Sequence, residues 1–191
     1  MLARILSCSW IPVAYPEGVT NNFISKNILE KDARCTHAVL GLFQWYFSFK
    51  RFALGKPITF SNWRDLMSGA IRRLEAFARQ KESLLQKIIL RSAHSNGMRF
   101  MHSMCHPMDG RTLPNADVAT SILKEIAEEF SSPTTNNSSS TDQEATVSFV
   151  DTNFLLHPVW DSQLDYSHYE WDAGMYEFKF IISKSLQEEW S

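Results

Sequence analysis

The sequence predicts an α/β protein: a three-layer α/β/α domain around a mainly parallel sheet. Short apolar runs typical of buried strands alternate with longer segments whose apolar residues recur every three or four positions. This alternation favours parallel strands joined by right-handed helical crossovers. The 191 residues are 44% hydrophobic and 21% charged, a composition that predicts one globular domain over 1–191 with a sizeable core.

Eight elements follow from these patterns. In chain order the prediction has strand 3–10, helix 21–33, strand 37–42, helix 59–85, strand 87–91, helix 116–130, strand 145–151 and helix 171–187. The first strand is apolar and stops before Pro12, and the first helix is short, with Phe23, Ile24 and Ile28 on one face. The second strand is a continuous apolar run of the kind buried on both faces of a parallel sheet, and it leads into an aromatic-rich loop.

The remaining elements are supported by their own periodicities. Helix 59–85 is the clearest, with apolar residues from Trp63 to Ala78 at helical spacing and Ser61 as its predicted N-cap. The run "KIILR" predicts the short strand that follows. The next helix has a predicted buried face, formed by Val118, Ile122, Ile126 and Phe130.

A Ser-, Thr- and Asn-rich stretch at 131–145 interrupts the pattern before the last strand. It is too poor in apolar residues to bury a face, so it is predicted to be an exposed low-complexity insertion. The segment "ATVSFVD" then returns to strand, and a loop over 152–170 leads into the terminal helix.

Charge and composition exclude several classes of function. The formal net charge is −2, so no basic excess predicts binding to nucleic acid or to an anionic membrane. No apolar run approaches the roughly 20 residues that a membrane span needs. The three cysteines, Cys8, Cys35 and Cys105, are too few and too widely spaced for a dense disulfide framework. No cofactor is predicted.

The segment "LDYSHYEWD", residues 164–172, carries the strongest candidate for chemistry. Asp165 and His168 lie three positions apart before the terminal helix, so on a tight turn both side chains can point into one cleft. A histidine so placed can take a proton from a nucleophile while the aspartate fixes its tautomer. The alternative interpretation is a helix-entry turn in which Asp165 caps a backbone amide.

Four segments, taken in order, resemble one family. "ILSCSWIP", "HAVLGLFQWYF", "IILRSAHSNG" and the D-x-x-H element before the last helix are similar to the ordered motifs of the SGNH hydrolases. The nearest resemblance is to the branch that contains PC-esterases and trichome-birefringence-like acyltransferases, and it covers most of the chain. It implies a flavodoxin-like fold and serine-dependent transfer or hydrolysis of O-acyl groups, chiefly O-acetyl groups, on carbohydrate.

The resemblance also implies roles for individual residues. His168 would act as general base and then general acid, and Asp165 would orient it. The oxyanion donor of the second motif would be the backbone near Gly41. The third motif would lie within Arg91–Gly97, with Arg91 as a substrate contact and Asn96 as the best side-chain donor.

The chain departs from the family at the nucleophile. The family carries its serine in a Gly-Asp-Ser motif after the first strand, and this sequence contains no Gly-Asp-Ser. Residues 3–10 align with the family's second strand, so the nucleophile is unassigned, and Cys8 is only a weak substitute. The expectation is either a fragment, missing its first strand, or an inactive relative. The alternative is a non-catalytic glycan- or protein-binding domain.

Other motifs support further hypotheses. His102, Cys105 and His106, with His94 nearby, are zinc-ligand types, although a solvated loop explains them as well, so no metal site is predicted. Three tryptophans could stack on sugars or pack in the core: Trp45, Trp160 and Trp171. Overlapping N-glycosylation sequons at Asn136 and Asn137, together with the family resemblance, suggest the secretory pathway, Golgi or extracellular.

Overall fold

The sheet is the centre of the described structure. The computed structural model describes residues 15–29, 35–81, 83–94, 109–131, 145–156 and 171–187. Within these ranges the strands are β1 (His37–Leu40), β2 (Lys87–Arg91) and β3 (Thr146–Val150). All pairings are parallel, in the order β1-β2-β3, with Val39 opposite Ile89 and Ile89 opposite Ser148. The predicted α/β class with a parallel sheet is confirmed, whereas the predicted strand 3–10 lies outside the described residues.

Helices lie before, between and after the strands along the chain. In chain order they are α1 (Asn21–Ile24), α2 (Phe49–Ala53), α3 (Phe60–Ala78), α4 (Leu113–Ser131), α5 (Asn153–Leu156) and α6 (Trp171–Gln187). A 3₁₀ turn at Pro16–Gly18 precedes α1, and a π-helical turn at Ser25–Leu29 continues it. In the described part of the chain, no helix is long and apolar enough to cross a membrane.

Helix α3 packs against the first face of the sheet. Its buried residues recur at the predicted spacing: Trp63, Met67, Ala70, Ile71, Leu74, Phe77 and Ala78. Thr59 is the N-cap, because its Oγ1 accepts a hydrogen bond from Asn62 N at 3.2 Å, so the prediction of Ser61 was wrong. The helix also ends at Ala78, before the predicted residue 85, since turn hydrogen bonds at Gln80 and Ser83 redirect the chain toward β2.

Helix α4 packs beside α3, and its buried face agrees only partly with the predicted one: Ile126 is fully buried as predicted. Val118, which was expected to be buried, is 45% exposed, and Ile122 and Phe130 are only partly buried. The buried face consists mainly of small residues: Ala116, Ala119, Leu123, Ile126 and Ala127. Alanines bring the helix backbone close to its neighbours, and a pattern that weights large side chains does not detect that contact.

The aromatic loop after β1 belongs to the core. Tyr46 is fully buried, and Phe47 lies 5.7 Å from Trp63 between ring centroids, in an edge-to-face arrangement. The Tyr46 hydroxyl accepts a hydrogen bond from Asn62 Nδ2 at 2.6 Å. The loop that leaves the carboxyl end of β1 is therefore held against the start of α3.

The second face of the sheet is covered unevenly. On α6, Ile181 packs in a small apolar cluster with Ile89 of β2 and Val150 of β3. Val39 of β1 points to the same face as Ile89 and is 47% exposed. The prediction that this strand is buried on both faces is therefore wrong for β1, because α6 lies over the other two strands.

Candidate functional site

The candidate site is built from the residues at the carboxyl ends of the strands. β2 ends at Arg91, which is followed by Ser92, and β3 is followed by Asp151 and Thr152. Ser92 N donates to Val150 O at 3.0 Å, so the backbone segments that leave β2 and β3 remain hydrogen-bonded just beyond the paired residues. In open α/β sheets this edge is where ligands bind.

Arg91 is the central side chain of the site. Its Nη1 donates to Glu177 Oε1 at 2.6 Å and lies 2.9 Å from His94 Nδ1. The side chains of Arg91 and Glu177 are only 15% and 14% exposed to solvent. Because guanidinium nitrogens only donate, His94 Nδ1 accepts in this arrangement, and the neutral imidazole carries its proton on Nε2.

Glu177 is ionised although it is buried. Burial alone would raise the pKa of its carboxyl group, but electrostatic attraction and two hydrogen bonds outweigh that effect. The larger attraction comes from Arg91 and the smaller from His94, and the hydrogen bonds come from Arg91 and Thr152. The pKa of Glu177 is therefore held below its ordinary value.

A chain of hydroxyl groups continues from Glu177 into the sheet. Thr152 Oγ1 donates to Glu177 Oε1 at 2.7 Å, so Ser92 Oγ, 3.1 Å away, donates to Thr152 Oγ1. Ser92 Oγ in turn accepts from Thr152 N at 2.8 Å. Ser92 and Thr152 are 1% and 0% exposed, so this chain ties β2, β3 and α6 together out of contact with solvent.

Gly41 directly follows β1 and lies against Arg91. A Cβ atom at Gly41 would lie 2.6 Å from Arg91 Nε, 2.8 Å from Nη2 and 3.1 Å from Cζ. The two nitrogens are nearer than the carbon between them, so Gly41 faces the edge of the guanidinium and not its flat surface. Any larger residue would displace Arg91 from Glu177 and His94.

Arg91 retains donors that the described residues do not use. Its Nη1 makes both of its polar contacts, and neither Nε nor Nη2 has a hydrogen-bond partner in the described part of the chain. Neither nitrogen is among the side-chain polar atoms of the described residues that are both buried and without a hydrogen-bond partner. Because Gly41 covers the edge that Nε and Nη2 share, a ligand acceptor could reach only Nη2, on the side away from Gly41.

Two further contacts brace this edge. Gln44 Nε2, from the loop after β1, donates to the backbone oxygen of His94. Thr120 on α4 accepts from Ala93 N at 3.1 Å and from Asn153 Nδ2 at 3.2 Å. The backbone just after β2 is thus held from both sides, which fixes the place from which Arg91 and His94 extend.

The predicted site residues are only partly placed by the structure. Gly41 and Arg91, matched to two separate motifs, are in contact. Asp165, His168 and Asn96 lie outside the described residues.

For several other sequence-based hypotheses, the structure describes only some of the residues concerned. His94 is 8% exposed and contacts Arg91, whereas His102, Cys105, His106, Asn136 and Asn137 lie outside the described ranges. Within those ranges, no group of three or more metal-ligand side chains could hold an ion. Of the three tryptophans, Trp45 has a described side chain and is 37% exposed.

Sequence reasoning missed Glu177 and Thr152. Glu177 was part of an ordinary amphipathic helix, where a single acidic residue usually faces solvent. One cue was present: Ile181 lies four positions later and so shares its helix face with Glu177. That spacing places Glu177 on the apolar face of the helix, but it does not identify Arg91 as its partner.

Comparison with known proteins adds no family assignment. No family model matches the chain, and no curated protein or solved structure shows significant similarity to it.

Proposed function

We propose that this chain is an SGNH-type domain with a flavodoxin-like arrangement, of the PC-esterase and trichome-birefringence-like branch. It recognises O-acyl groups, chiefly O-acetyl groups, on carbohydrate. The observation that carries the proposal is the contact between Gly41 and Arg91 at the carboxyl edge of the sheet. These residues match two motifs that are far apart in sequence, and that family uses both motifs around the acyl oxygen.

The proposed division of roles follows from the donors that remain. Arg91 Nη2, through its hydrogen on the side away from Gly41, binds the acyl oxygen together with Asn96 and the backbone near Gly41. If a serine nucleophile were supplied, His168 would take the proton from its hydroxyl group and return it to the departing sugar oxygen, and Asp165 would orient His168. Removing one donor of this kind typically costs about 2.7–4 kcal/mol of transition-state stabilisation.

The missing Gly-Asp-Ser sets a limit on the reaction. Acyl transfer of this type needs a nucleophile whose proton the histidine accepts, and none is assigned in this sequence. The chain as it stands is therefore proposed to bind the acylated sugar without turning it over.

A second candidate is supported by the same missing motif. A non-catalytic glycan- or protein-binding domain needs no serine, and it would keep the cleft only for recognition. Such a domain would not distinguish an acylated sugar from the deacylated one, because only the acyl oxygen engages Arg91 in the first proposal.

The two candidates are separated by measuring binding to the full chain. Isothermal titration calorimetry compares the affinity of the chain for an O-acetylated xylo-oligosaccharide with its affinity for the same oligosaccharide after deacetylation. The first proposal expects the acetylated form to bind roughly tenfold more tightly, since a hydrogen bond to a charged donor contributes about 1.5 kcal/mol or more. Arg91→Lys should reduce this preference, because lysine lacks the planar guanidinium that carries Nη2.

The outcomes are distinct. Equal binding of both forms favours the second candidate, and binding of neither form contradicts an acyl-carbohydrate site. Release of acetate that His168→Ala abolishes would place a nucleophile within this chain. Lys124→Met, on the exposed side of α4, is the control that should change nothing.

A further inference from the structure

An apolar cleft opens among the loops beyond the strands, apart from the Arg91 site. It is lined by Phe47 of the loop after β1, Phe52 of α2, and Ile58 and Phe60 at the start of α3. Its volume is about 390 Å³, within the range of small-ligand sites. Phe52 is 43% exposed.

The wall of this cleft is preformed. Phe47 is 2% exposed and packs 4.9 Å from Phe60 between ring centroids. Gly110 N donates to Phe47 O at 2.8 Å, and a Cβ at Gly110 would lie 3.2 Å from that oxygen. Asn115 Nδ2 then donates to Gly110 O at 2.8 Å. Two segments are thus locked together beside the cleft, so a ligand would not have to order them.

Among the described residues that line the cleft, Lys56 is the one that carries a charge. Its side chain is 52% exposed, and its Nζ lies 4.0 Å from Glu17 Oε1, at the limit of an ion pair. The same Glu17 oxygen lies 2.5 Å from Arg51 Nη1, which neutralises it more closely. The ammonium of Lys56 is therefore weakly held and can reach a ligand at the rim.

We propose that this cleft binds a monoanionic amphiphile: a carboxylate with an apolar body of medium length. The carboxylate pairs with Lys56, and the apolar body lies on Phe47, Phe52 and Phe60. Lys56 supplies one positive charge among the described lining residues, which suits a ligand with a single negative charge. This site is independent of the proposed recognition of acylated sugars, because Arg91 does not line it.

Octanoate is the probe, and octanamide is the uncharged control of the same length. In calorimetric titrations of the full chain, octanoate should bind saturably, and octanamide roughly threefold to fivefold more weakly, as expected for one exposed ion pair. Lys56→Met keeps most of the side-chain stem and should weaken octanoate by the same factor. Lys124→Met should leave its affinity unchanged.

Phe52 tests the apolar half of the site. Phe52→Ala should weaken octanoate roughly tenfold through loss of buried ring surface, and Phe52→Leu should restore part of that loss. Equal affinity for octanoate and octanamide, equal losses in Lys56→Met and Lys124→Met, or no saturable binding of octanoate would overturn the proposal. Arg91→Lys should leave octanoate binding unchanged while it reduces the acetyl preference, which keeps the two proposals separate.

Discussion

Two arginine–glutamate contacts in this chain differ mainly in where they lie. Arg91 and Glu177 join β2 to α6 at the sheet edge, with 15% and 14% of their side chains exposed. Arg64 joins α3 to Glu125 and Glu129 of α4 on the surface, where the three side chains are 30%, 58% and 56% exposed. Both contacts are short and both link separate elements, so distance alone would rank them as equal.

Burial separates them. The inner carboxylate has lost water, and its pKa falls below the ordinary value only because Arg91, His94 and Thr152 compensate for that loss. At the surface, a hydrogen bond from Arg64 to Glu125 raises the pKa of the arginine, which was already fully charged, so its protonation does not change. The inner contact therefore controls how α6 sits on the sheet, whereas the outer one adds little.

The largest expected effect comes from removing the inner carboxylate. Glu177→Ala leaves Arg91 mostly buried without its counterion, and we expect the free energy of unfolding to fall by about 3 kcal/mol. Chemical denaturation at pH 7 measures this loss. Glu129→Ala is the matched control and should cost less than about 1 kcal/mol. Similar losses in the two variants would contradict the distinction between the contacts.

The second effect tests the space beside Arg91. Gly41→Ala places a methyl group 2.6 Å from Nε, which forces the guanidinium away from Glu177 and should cost about 2 kcal/mol. Gly69→Ala in α3 is the control, since its Cβ meets Arg73 Nη1 at an ordinary 3.4 Å. That variant should instead gain roughly 0.5–1 kcal/mol of helix stability. A loss in both variants would show that the inner contact is not responsible.

The third effect is a dependence on pH. A carboxyl group whose pKa is lowered by folding stabilises the protein above its unfolded pKa, about 4.3 for glutamate, and that contribution disappears as pH falls through the folded pKa. The stability difference between the wild type and Glu177→Gln should therefore be full at pH 6 and shrink below about pH 4. Urea denaturation at a series of pH values gives the comparison. A difference that stays constant down to pH 3 would mean that Glu177 keeps its unfolded pKa.

The smallest effect belongs to the surface contact. Arg64→Ala should change the free energy of unfolding by about 0.5 kcal/mol, and most of that change should vanish in 1 M NaCl, where exposed charges are screened. The cost of Glu177→Ala should persist at the same salt concentration. Equal sensitivity to salt would indicate that solvent reaches both contacts alike.

Periodicity was enough to predict most elements. The strand "KIILR" and the terminal helix have the predicted bounds, and the buried residues of α3 follow the predicted spacing. The predictions were wrong for one helix cap and for part of one buried face, because these depend on the size of a side chain or on which residues lie next to it. Thr59 caps α3 in place of Ser61, and alanines replace Val118 on the buried face of α4.

The candidate site was only half accessible to the same reasoning. Gly41 and Arg91 were implied by the family resemblance, and the strand order independently predicted that the loops after these strands share one edge of the sheet. Glu177 was missed, because its partner Arg91 is 86 positions away along the chain. No local pattern encodes a contact of that kind.

The sequence by itself determined the class of fold and the edge of the sheet at which function should be sought. Apolar period and strand order depend on neighbouring residues, so they can be deduced from the chain alone. Only the tertiary structure decided how the three nitrogens of Arg91 are used. Nη1 contacts Glu177 and His94, whereas Nε and Nη2 face Gly41. That choice depends on which distant groups burial brings together, since an ionised side chain leaves water only where the fold supplies its partners.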